Sequence, residues 1–88
     1  MHAVTAPAPA VDVDTVVEYD IMREAATRLS GFFAARLPDD TSDPAYLAGM
    51  QRMIEIRNTA RAVPTRDSAE ISAATDRFNS ELQELRAR

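Results

Sequence analysis

Pro38 and Pro64 set the outline of this chain, because a proline ring clashes with the preceding helical turn and offers no backbone N–H to it. Apolar residues recur at helical spacing on either side of these two breaks, so the sequence divides into three helical stretches. The first, from about 14 to 37, is DTVVEYDIMREAATRLSGFFAARL, with Asp14 as its N-cap and Glu18 and Asp20 near the positive end of the helix dipole. It stops before Pro38, where PDDTSD supplies turn chemistry. The second opens at SDPAYL, with Ser42 or Asp43 as cap and Pro44 at the first helical position, and runs to Val63. The third opens at DSAE, where Asp67 caps and Glu70 can close a capping box, and continues to the chain end. No stretch alternates with the period of two that a half-buried strand requires.

Loops of about six and four residues favour antiparallel neighbours, so the expected architecture is an all-α, up-down-up three-helix bundle over residues 13–88. Residues 1–12, rich in alanine and proline, are expected to form a flexible tail. A chain of 88 residues has room for one small core, and with 6% aromatic residues that core is aliphatic. Gly31 and Gly49 lie inside the first two helices, and each is expected to mark a close helix approach.

The apolar residues of the first helix, Ile21, Met22, Ala25, Ala26, Leu29, Phe32, Phe33 and Leu37, fall within an arc of about 160°. Asp20, Arg23, Glu24, Thr27 and Ser30 lie opposite. The third helix has a narrower stripe of about 100°, made by Ile71, Ala74, Thr75, Phe78, Leu82 and Leu85. The second is broader, with Tyr46, Leu47, Met50, Met53, Ile54, Ile56, Ala60 and Val63 spanning about 200°. Two readings fit that width. Either the buried arc drifts along the helix as it crosses its neighbours, or the Leu47, Met50, Ile54 edge is surface that meets a partner or a second copy.

Arg57 and Arg61 continue the Met50 and Ile54 line at spacings of three and four. A buried arginine needs a carboxylate, and Glu18, Glu24 and Glu81 are the candidates for an intramolecular ion pair, unless the two side chains snorkel to water at the bundle end. Acidic groups of a partner protein are the second reading, and phosphate the third.

Fourteen acidic residues against ten basic ones give a net charge of −4, which repels nucleic acid and phospholipid headgroups at long range. In the third helix Asp76, Glu81 and Glu84 interleave with Arg77, Arg86 and Arg88, a poor surface for DNA. Every basic residue is arginine, cysteine is absent, and the single histidine, His2, lies in the tail. With no thiol, no lysine and no histidine in the body of the chain, the expectation is a protein that is not an enzyme and holds neither cofactor nor metal. Asp39, Asp40 and Asp43 are expected to serve turns and a cap. The opening MHAVTAPAPA lacks the basic start and apolar core of a secretory signal, and no run approaches the roughly 20 apolar residues of a membrane span, so a cytoplasmic location is expected.

The layout resembles the epsilon antitoxins of epsilon/zeta toxin-antitoxin systems. The similarity runs from about residue 13 to the end and rests on the long first helix, on TSDPAYLAGMQRMIEI after a polar turn, and on RDSAEI opening the third. It implies a non-enzymatic inhibitor that binds a P-loop kinase toxin, covers its nucleotide site with the first helix, and forms a heterotetramer with two copies of each chain. The expected partner-binding residues are Glu18, Tyr19, Asp20, Arg23 and Glu24, joined by Arg57 and Arg61, with Leu47, Met50 and Ile54 available for homodimerisation. The competing expectation is a small helical adaptor or structural subunit that self-associates.

Overall fold

A computed structural model describes residues 13–88, which form three helices: α1 over Val13–Ala34, α2 over Pro44–Ala62 and α3 over Ser68–Arg86. The expected tail and His2 lie outside the described residues. No helix among these is long and apolar enough to cross a membrane.

The caps of α2 and α3 follow from short polar side chains placed before each helix. Asp43 accepts a hydrogen bond from the Ala45 N–H at 2.8 Å with Pro44 in the first turn, and Asp67 accepts one from the Glu70 N–H at 3.1 Å. Each satisfies an N–H that has no partner within its own helix. At Asp67 the cap is one-sided, since its own N–H turns back to the Pro64 carbonyl at 3.4 Å.

Two expectations for α1 are corrected. Asp14 lies inside the first turn rather than at the cap, and the helix ends at Ala34 rather than Leu37. The ending has a local cause. Arg36 and Leu37 donate to Phe33 and Ala34 in tight three-residue turns at 3.1 and 3.4 Å, and the Arg36 guanidinium folds back to the Phe32 carbonyl at 3.2 Å. That guanidinium also lies 3.5 Å from the centre of the Phe32 ring. The chain has therefore left the helix before Pro38 is reached.

Side-chain bonds give the directions of the helices. Ser68 at the start of α3 donates to Glu18 at the start of α1 at 2.7 Å, and Arg28 and Asn79 meet midway at 3.4 Å, so α1 and α3 run parallel. Gly49 near the start of α2 faces Leu37 beyond the end of α1, which makes α2 antiparallel to both. The arrangement is the up-down-up bundle that the loop lengths predict. Both α2 and α3 pack extensively on α1, whereas they meet each other sparingly.

The core is built from Met22, Ala25, Ala26 and Leu29 of α1, Ile56 and Ala60 of α2 with Val63 just beyond it, and Ile71, Ala74, Phe78 and Leu82 of α3. Phe32, Phe33 and Leu85 pack at its edge. Ile21, expected in the core, is 48% exposed instead, since it stands at the edge of the predicted arc, about 100° from the buried Met22.

The two glycines differ. A Cβ on Gly49 would stand 2.6 Å from the Leu37 Cδ2, so a side chain does approach it, from the loop rather than a facing helix. Gly31 faces open space, and the close approach expected there is not found.

Candidate functional site

A groove of about 700 Å³ runs between α1 and α2, with no residue of α3 in its lining. Ala26, Met53, Ile56 and Ala60 make its apolar floor, and Tyr19, Arg23, Thr27, Ser30, Arg57 and Arg61 its polar walls. Helical spacing explains the set. Tyr19, Arg23, Ala26 and Ser30 follow at intervals of four, three and four on α1, as do Met53, Ile56, Ala60 and, offset by one residue, Arg57 and Arg61 on α2.

Four of the seven expected partner-binding residues, Tyr19, Arg23, Arg57 and Arg61, are therefore brought together. The acidic three are not. Glu18 is held by the Ser68 hydroxyl at 2.7 Å on the α3 side of α1. Glu24 pairs with Arg28 at 3.4 Å, and Asp20 is exposed outside the groove lining. The five residues of the first helix do not form one continuous acidic surface, because they are spread over nearly two turns and around much of the helix circumference.

The ion-pair reading of Arg57 and Arg61 is also corrected. Both are exposed, and among the described residues neither forms a salt bridge. Glu81 is taken by Arg52, whose guanidinium makes a two-pronged contact with it, Nε lying 3.1 Å from Oε2, and also reaches Glu55 at 3.2 Å. Burial works against the Arg52 charge, but the hydrogen bond and charge of Glu81, helped by Glu55, outweigh it and raise its pKa. Arg52 and Arg57 are about 140° apart around the helix. The flank that meets α3 is thus not the flank that carries Arg57 and Arg61.

Outside the groove, α2 continues as an apolar edge. Leu47 is 59% and Ile54 47% exposed, with Met50 half-buried between them. Leu47 and Ile54 of the broad arc are therefore surface rather than core. On α2 two lines of residues run side by side. Tyr46, Gly49, Met53, Ile56, Ala60 and Val63, at spacings of 3, 4, 3, 4 and 3, form the line that carries the buried Ile56, Ala60 and Val63; Leu47, Met50, Ile54, Arg57 and Arg61, at 3, 4, 3 and 4, form a more exposed line whose two arginines reach the groove wall. Both have the 3.5-residue period of a coiled-coil seam. The two lines lie only about 100° apart and so merge into one broad arc, separated by heptad position alone. Val16, 45% exposed, lies three residues before Tyr19 and extends the apolar surface along α1.

The acidic loop does what turn chemistry predicts. Asp40 Oδ1 accepts from the Ser42 N–H at 2.9 Å and from its hydroxyl at 2.7 Å, bonds that hold its pKa below the ordinary value of 3.8. Asp43 caps α2, and no group of side chains suited to a metal ion occurs among the described residues.

No family model, curated protein or solved structure matches the chain.

Proposed function

We propose that this chain is a non-enzymatic protein-binding module that grips acidic groups of a partner in the α1/α2 groove. The observation that carries this reading is the trio Arg23, Arg57 and Arg61, three guanidinium groups with no salt-bridge partner among the described residues, set beside an apolar floor and an exposed apolar edge. Guanidinium groups bind carboxylates in a planar, two-pronged fashion, and an apolar surround that excludes water strengthens such bonds. Leu47 and Ile54 supply the kind of surface that a soluble helix leaves open for a neighbour.

The more specific form of the proposal is an antitoxin. The layout similarity to epsilon antitoxins supports it, and the partner is then a P-loop kinase toxin whose nucleotide site is covered, in a complex with two copies of each chain. The groove alters how that complex is pictured: arginines of α1 and α2 engage carboxylates of the toxin, while Asp20 and Glu24 remain on the outer side of α1 to meet its phosphate-binding basic groups. The test is co-expression with the product of an adjacent reading frame carrying GxxxxGK[ST]. The expected result is a stable co-purified complex and relief of growth arrest. A neighbour without such a loop, or one that neither binds nor is neutralised, overturns the antitoxin form.

A further inference from the structure

We infer that the outward seam of α2 is one half of a coiled coil, and that its missing strand is an acidic amphipathic helix of the partner protein. This rests on the protein-binding reading above and names the element that binds. The seam Leu47, Met50, Ile54, Arg57, Arg61 keeps the 3.5-residue period over two heptads, with Leu47 and Ile54 about half exposed and Arg57 and Arg61 on the open wall of the α1/α2 groove. At 1.5 Å per residue it is about 21 Å long, longer than a small anion occupies and matched to a helix of four turns. Its composition dictates what the occupant carries. Apolar knobs belong opposite Leu47, Met50 and Ile54, and carboxylates one turn apart belong opposite Arg57 and Arg61, where Arg23 closes from α1.

Charge also selects direction and excludes self-pairing. Carboxylates are most favourable in the first turns of a helix, and Arg57 and Arg61 lie in the second half of α2, so the occupant runs antiparallel to α2 with its acidic amino-terminal end beside them. A second copy of α2 fails in either direction. Parallel pairing sets Arg57 and Arg61 against themselves, and antiparallel pairing sets them against Met50 and Leu47, leaving every guanidinium without an anion. The seated helix would complete a four-helix arrangement around the α1/α2 groove.

The probe is a synthetic amphipathic helical peptide with leucines at the seam positions and two glutamates, four residues apart, in its first turns. A control peptide has lysine in place of both glutamates. Binding to the full chain is followed by fluorescence anisotropy and by NMR shifts. The glutamate peptide is expected to bind at least tenfold more tightly than the lysine one, to weaken about tenfold in Arg57→Ala combined with Arg61→Ala, to weaken with added salt, and to shift Tyr19, Ile54 and Arg57. Leu47→Asp is expected to weaken it comparably while the circular dichroism melt stays in place, since Leu47 is 59% exposed. Equal affinity for the two peptides, no binding, or binding indifferent to these variants overturns the inference. So does a concentration-dependent homodimer that Leu47→Asp dissolves. A natural partner that stays bound to both variants removes the seam as the contact and leaves the protein-binding reading intact.

Discussion

Gly31 and Gly49 show how one residue type can carry opposite meanings. Glycine in a helix interior costs about 1 kcal/mol relative to alanine. Nothing opposes a side chain at Gly31, so Gly31→Ala is expected to raise unfolding stability by about 0.5–1 kcal/mol in a urea titration. Gly49→Ala is expected to gain less, because the Leu37 methyl must move aside. The arginines divide in the same manner. Arg52 joins α2 to α3 through Glu81 with both side chains about one-third exposed, and a double-mutant cycle on this pair should report coupling of about 0.5–1 kcal/mol. Arg57→Ala is expected to change stability by no more than about 0.5 kcal/mol, as for surface positions in general. Asp40 supplies the acid response. Its pKa is lowered by Ser42, so its contribution is present above the unfolded value near 3.8 and is lost as pH falls through the lower folded one. The Ser42 amide should therefore keep its hydrogen-exchange protection down to the unfolded value and lose it only as pH falls through the lower folded one, whereas in Asp40→Ala it should exchange freely at neutral pH as well.

At the scale of the element, the sequence reveals helices better than it reveals their flanks. Proline positions and the Asp43 and Asp67 caps place α2 and α3 almost to the residue, because capping is a local event between a side chain and an N–H two or three residues away. The end of α1 escapes the same reasoning. Arg36 folding onto Phe32 ends it before Pro38 does, and nothing in the spacing distinguishes an arginine that returns from one that points to water. The site was half legible: Tyr19, Arg23, Arg57 and Arg61 share a groove, while Glu18 and Glu24 belong to other partners. The missing information is which side of the α1/α2 pair receives α3. Apolar stripes permit either, and that choice alone decides whether Arg52 or Arg57 meets Glu81.

For the molecule as a whole, a single small core carries the fold, and its tolerance to change should be sharply graded. Met22 and Leu29 are fully buried, so replacing either with alanine is expected to remove about 2–5 kcal/mol, a large part of the roughly 5–15 kcal/mol typical of a domain. Ile54→Ser, at a position 47% exposed, is expected to leave the urea midpoint nearly unchanged. The side-by-side seams of α2 carry a further implication for uniqueness. They are offset by a single residue, so a roll of about 100° would present Leu47, Met50 and Ile54 to α1 in place of Tyr46, Gly49 and Met53. What forbids that roll is the pair of guanidinium groups it would drive into the interior without counter-charges. Arg57 and Arg61 thus act as a latch on the rotational setting of the helix, whatever else they bind. With leucine at both positions the outer line becomes the greasier of the two, and the amide spectrum of that double variant should show duplicated or broadened signals along α2, the mark of a chain that no longer knows which way to face.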